Sequence, residues 1–158
     1  MTVKSIESVW DYPRPPRLEP STRRVRIEHG DVTIVDTDNA VRVLETSHPP
    51  VYYVPRDEIR PELLVGSPRR STCEFKGVAS YWHLVVGDRQ SPDGAWSYEN
   101  PSAGYEHLRG MIAFYPRRVD RCVLNGEVVE PQEGDFYGGW VTAEIVGPLK
   151  GGPGSSGW

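Results

Sequence analysis

Apolar and polar residues alternate with a period of two through much of the chain. Arg24-Val-Arg-Ile-Glu28 alternates strictly and His29-Gly-Asp31 turns the chain; Val32-Thr-Ile-Val35 and Ala40-Val-Arg-Val-Leu-Glu45 follow. Side chains of a strand point alternately to opposite faces, so short runs separated by Gly, Asp and Asn predict a β-meander. His48-Pro-Pro50 breaks the chain before another short strand, Val51-Tyr-Tyr-Val54. Residues 55–60 read as one helical turn stopped by Pro61, with Leu63 and Leu64 anchoring it to the core.

The stretch from Ser71 to Trp82, continued through Val86, reads as a strand. A period of two puts Cys73, Phe75, Gly77, Ala79 and Tyr81 on one face, and Thr72, Glu74, Lys76, Val78, Ser80 and Trp82 on the other. Gly77 marks a bulge or a close backbone approach, and a one-residue bulge would shift the parity after it. Residues 87–94 read as a polar hairpin loop and 95–98 as the returning strand. Ser102 caps one short helix reaching Gly110, with Tyr105, Leu108 and Met111 on its buried side. Residues 111–115, 121–124 and 140–146 are further strands, and Asn125-Gly126 is the strongest hairpin signal. The expectation is a mainly β protein of two packed sheets with one short helix.

With 158 residues, 16 Gly and 15 Pro, the chain suits one domain of many short elements. Residues 1–21 are a Pro-rich arm whose Trp10 and Tyr12 favour lying on the core; 22–130 are the core domain; 131–158 are an extension with a Gly-rich tail. A net charge of −4 argues against nucleic acid as a partner. No apolar run reaches membrane-spanning length and the N-terminus lacks a signal-peptide core, so a soluble, cytoplasmic protein is expected. The two cysteines, Cys73 and Cys122, form no Cys-x-x-Cys pair, which excludes a disulfide framework and a thiol-based zinc site. Asp36-x-Asp38 has metal-pair spacing, but turn chemistry accounts for it. No metal or cofactor is expected.

Reactive, cationic and aromatic side chains concentrate between Ser71 and Tyr115. Trp82, Trp96, Tyr98 and Tyr115 read either as core or as the walls of an apolar pocket with few polar groups. In the first functional reading the pocket, with Tyr81, holds a small anionic ligand through Lys76 and Arg42 or Tyr53. In the alternative, Cys73 is a nucleophile and Lys76 with a tyrosine hydroxyl stabilises developing charge, since a reactive thiol needs a cation or base beside it. His83 and His107 sit in no recognisable triad. The oligomeric state, including a homo-oligomer, is left open.

Thr72-Cys-x-x-Lys-Gly-x-Ala-x-Tyr81, with Val51-Tyr-Tyr-Val-Pro55, Ala95-Trp-x-Tyr98, Asn100-Pro101 and Ile112-Ala-Phe-Tyr115, resembles the bacterial and fungal family known as domain of unknown function 427, which has also been labelled nucleotidyltransferase-like. The likeness runs from about Val25 to Val129, and both flanks look like the extensions of an actinobacterial-type subgroup. It implies a two-sheet, tent-like β-sandwich. Related tent-like folds often carry a four-cysteine zinc, and this chain lacks those cysteines. Nucleotidyl transfer fits poorly: Gly66-Ser67 follows Asp36-x-Asp38 instead of preceding it, and there is no Gly-x-x-x-x-Gly-Lys loop.

Overall fold

Alternating short runs become short strands. The computed structural model describes residues 6–134, 136–151, 154, 155, 157 and 158. In chain order the strands are β1 (Glu7–Ser8), β2 (Arg17–Ser21), β3 (Val25–His29), β4 (Val32–Thr37), β5 (Ala40–Leu44), β6 (Val51–Val54), β7 (Leu64–Cys73) and β8 (Gly77–Val86). After them come β9 (Arg89–Ser97), β10 (Ile112–Phe114), β11 (Arg121–Leu124), β12 (Glu127–Val128), β13 (Glu130–Pro131), β14 (Trp140–Val141) and β15 (Ile145–Val146). A seven-stranded sheet has the order β2-β5-β6-β10-β9-β8-β7 and a four-stranded sheet the order β12-β11-β3-β4. Both are antiparallel throughout. β13 pairs with β14, and β1 pairs in parallel with β15, joining the two ends of the chain.

The two large sheets form a mainly β sandwich. Val25, Ile27, Ile34, Val35, Cys122 and Leu124 of the smaller sheet pack on Tyr52, Val54, Leu84, Ala95, Ile112 and Phe114 of the larger. Alternation sends the neighbouring residues Tyr53, Trp96 and Ala113 to the opposite face, where they join Val41, Val43, Ala79, Tyr81, Tyr98, Leu108 and Tyr115 in a second cluster. Each fully buried aliphatic or aromatic side chain contributes about 1.5–3 kcal/mol. Both faces of the large sheet therefore carry buried apolar clusters, one against the smaller sheet and one on the far side.

The Asn125-Gly126 hairpin forms as the sequence suggests, with φ of 48° and 84°. Other expectations change. Residues 71–86 are a hairpin instead of one strand: β7 ends at Cys73, which pairs across with Gly77. Gly77, at φ 106°, reverses the chain, and a Cβ there would press on Ser102. The turn at Gly87-Asp88 is tighter than an eight-residue loop, so β9 already begins at Arg89. The helix expected over 102–110 is only the 3₁₀ turn Glu106–Leu108. Gly104 and Gly110, both with positive φ, bracket a stretch too short to repay helix nucleation. Residues 140–146 split into β14 and β15, with a turn in which Ile145 N–H donates to the Thr142 carbonyl at 3.3 Å.

The arm is woven into the fold. β2 lies at one edge of the large sheet beside β5, and the indole of Trp10 donates to the Pro148 carbonyl at 2.8 Å. The expectations for residues 1–5 of the arm and for 152, 153 and 156 of the Gly-rich tail lie outside the described residues. Among the described residues no helix is long and apolar enough to cross a membrane.

Candidate functional site

A cavity of about 460 Å³ opens on the face of the large sheet turned away from the sandwich core. Its floor follows from alternation along five strands: Val43 on β5, Val51 and Tyr53 on β6, Trp96 on β9, Ala79 and Tyr81 on β8, and Ser71 and Cys73 on β7. Tyr98 and Tyr115 follow β9 and β10 and complete it. Gln132, Phe136, Tyr137 and Gly138 of the C-terminal extension form the opposite wall, with Lys150 and Trp158.

The floor is an ordered aromatic array. The Trp96 indole donates to the Tyr53 hydroxyl at 3.1 Å and packs on Tyr115 with ring centroids 4.5 Å apart. The Tyr53 and Tyr98 hydroxyls adjoin one another, as do those of Tyr81 and Tyr115. Tyr81 also shares a 2.8 Å hydrogen bond with Ser71. Burial, reinforced by these neighbouring hydroxyls for Tyr98 and Tyr115, pushes the phenols of Tyr53, Tyr98 and Tyr115 well above the ordinary tyrosine range. They keep their protons and remain donors at any physiological pH.

Charge enters at the β7–β8 turn. Lys76 is only 9% exposed. Its ammonium donates to Cys73 Sγ at 3.3 Å and lies 5.9 Å from the centre of the Tyr98 ring. The turn brings thiol and ammonium together although they are three residues apart, and Ser102 N–H holds the Lys76 carbonyl at 2.9 Å. The other cations at the cavity are engaged. Arg14 pairs with Glu45 at 3.2 Å, and Lys150 donates to the Ser155 carbonyl at 2.6 Å. Among the described residues no carboxylate pairs with Lys76.

Cys73, Tyr53, Lys76, Tyr81, Trp96, Tyr98 and Tyr115 thus meet at one cavity, and two of the expected residues do not. Arg42 lies between Val41 and Val43 on β5, so its side chain leaves on the other face. There Glu7, at 2.9 and 3.0 Å, and Glu19, at 2.7 Å, neutralise it. Trp82 is likewise one position out of phase with Tyr81. Its indole donates to Ser97 Oγ at 3.0 Å beneath the Arg56 guanidinium. His83 accepts from Asp93 N–H at 3.1 Å, away from the thiol. The sequence reading missed the wall supplied by the C-terminal extension. The signal was Gly138-Gly139: a Cβ at Gly138 would overlap the Trp96 ring, and one at Gly139 would meet Gln132 and Pro49.

Among the described residues no group of three or more His, Cys, Asp or Glu is placed to hold a metal ion. The domain of unknown function 427 family matches residues 17–125, which hold the whole floor of the cavity. The chain belongs to that family. The wall residues Gln132, Phe136, Tyr137, Gly138, Lys150 and Trp158 lie outside the matched range. Among curated proteins none matches the chain.

Proposed function

We propose that this family member binds a small anionic ligand with an apolar body in the aromatic cavity, Lys76 meeting the negative charge and the tyrosine hydroxyls donating to it. The observation that carries the reading is Lys76, 9% exposed as a residue and without a carboxylate partner among the described residues, lining an aromatic-walled cavity. A buried charge is costly unless paired, and an anionic ligand supplies the pair. The volume lies within the roughly 300–1,000 Å³ range of small-molecule sites. Calorimetry against a panel of aromatic and aliphatic carboxylates, sulfonates and phosphates tests it. Lys76→Met should weaken the best binder at least about tenfold, or roughly 1.4 kcal/mol. Unchanged affinity in that variant sinks the reading.

The 3.3 Å approach of Lys76 Nζ to Cys73 Sγ favours a second reading, acyl or group transfer with Cys73 as nucleophile and Lys76 steadying developing charge. Nucleotidyl transfer is a weaker alternative. Iodoacetamide separates binding from catalysis: a Cys73 that alkylates at neutral pH as slowly as an unactivated thiol, its rate rising about tenfold per pH unit up to neutrality, with full ligand affinity retained in Cys73→Ser, leaves only the binding reading. We read the protein as soluble and cytoplasmic, with a small molecule and not nucleic acid as its partner, in keeping with its net charge of −4.

A further inference from the structure

We propose that Cys73 and Lys76 form a peroxide-driven redox switch, in which oxidation joins Cys73 Sγ to Lys76 Nζ through a reversible sulfenamide bond and removes the cavity's charge. The inference about the bond rests on geometry alone; its effect on binding rests on the ligand reading above. Cys73 is partly exposed and lines the cavity, so an oxidant can reach it, and the Lys76 nitrogen lies 3.3 Å from its sulfur. The chain's second thiol, Cys122, is sealed between the two sheets on the far side of β8 and β9. It lies across the large sheet from the cavity, and among the described residues the amine in hydrogen-bond contact with Cys73 Sγ is that of Lys76. The turn that carries both groups supplies the high effective concentration that favours ring closure.

The chemistry balances with hydrogen peroxide as the oxidant. The Cys73 thiol attacks peroxide, the O–O bond breaks, and sulfenic acid and one water form. The Lys76 amine, having released a proton to solvent, then attacks the sulfenic sulfur. The S–N bond forms, the S–O bond breaks, and the departing hydroxide takes up the second amine proton as water. Sulfur is oxidised by two electrons and peroxide is reduced to two waters. A small thiol reverses the step by attacking sulfur and releasing the amine; a second thiol then frees Cys73 as its own disulfide forms.

The test is intact mass spectrometry of the full chain after substoichiometric hydrogen peroxide, before and after dithiothreitol. Wild type should lose the mass of two hydrogen atoms and regain it on reduction, and its tryptic digest should contain no cleavage after Lys76. Lys76→Arg keeps the charge but should show only oxygen addition, and Lys76→Met provides a second amine-free protein if the first misfolds. A wild-type mass that rises only by oxygen atoms overturns the switch. So does the same two-hydrogen loss in both Lys76 variants, which would place the bond on a backbone nitrogen. Failure of every ligand to bind would leave the mass result standing, so the two proposals fail separately.

Discussion

Tyr53 shows how much a single hydroxyl carries at the cavity floor. Its ring is 1% exposed and its oxygen accepts the Trp96 indole N–H at 3.1 Å. Tyr53→Phe keeps the ring but leaves a buried donor without its acceptor, a loss of about 1–3 kcal/mol. Urea unfolding should show that loss as a lower midpoint at unchanged slope; a variant as stable as wild type would mean that water replaces the phenol. The same scale explains Arg42. A strand arginine flanked by valines looks like an available ligand contact, yet one step of alternation separates the cavity from the Glu7–Glu19 cage that holds it. The sequence displays the cation but not the partners, which come from 35 and 23 residues away.

At the level of elements, the strands were legible wherever a local turn encoded them. Asn125-Gly126 and the Val51–Val54 run between prolines and Pro55 are cases in point. The β7–β8 hairpin was hidden because Glu74-Phe75-Lys76 carries no turn signature except the glycine that follows it, and a glycine within alternating residues reads equally well as a bulge. The shared face of Cys73, Ala79 and Tyr81 was legible from alternation, but the meeting of Cys73 with Lys76 was not, because it depends on the turn between β7 and β8. The opposing wall was not legible either, because Gln132, Phe136, Tyr137 and Gly138 follow no strand periodicity and meet floor residues distant in sequence. Gln132 holds that wall, donating to the Lys150 carbonyl at 2.7 Å and accepting from Gly139 N–H at 3.1 Å. Gly138→Ala would drive a methyl into the Trp96 ring, whose Cζ3 would lie 2.8 Å away. It should cost about 1–3 kcal/mol as an overpacked contact and shift the tryptophan emission toward that of wetter indoles. An unshifted spectrum would show that the wall is not seated on Trp96.

For the whole molecule, two histidines link stability to acidity. Burial lowers His29 below the ordinary value of 6.5, against the opposing pull of the Asp120 carboxylate. Burial also lowers His48, against its hydrogen bond to the Thr46 carbonyl. The unfolded chain therefore takes up protons first as pH falls through 6.5, and stability is lost from there downward until the folded histidines also titrate. The depressed Glu7, held down first by its Arg42 hydrogen bonds, adds its own loss only below the ordinary 4.5. Denaturation midpoints should fall between about pH 7 and pH 5, and the fall should shrink when His29 and His48 are both replaced by Gln. An unaltered slope in that double variant would assign the effect to other groups.

The large sheet ends in β2 on one side and β7 on the other. Pro20 lies within β2, and β7 contains Pro68 followed by Arg69 and Arg70 at a break in its register. A proline offers no amide hydrogen to a newcomer strand, and charged, irregular borders repel one. The sheet is thereby discouraged from growing by strand addition, from its own copies or from a stray extended peptide. Crowding at high concentration should then lead to contact through faces and loops, and the route into fibrils that an open border would offer is blocked at both ends.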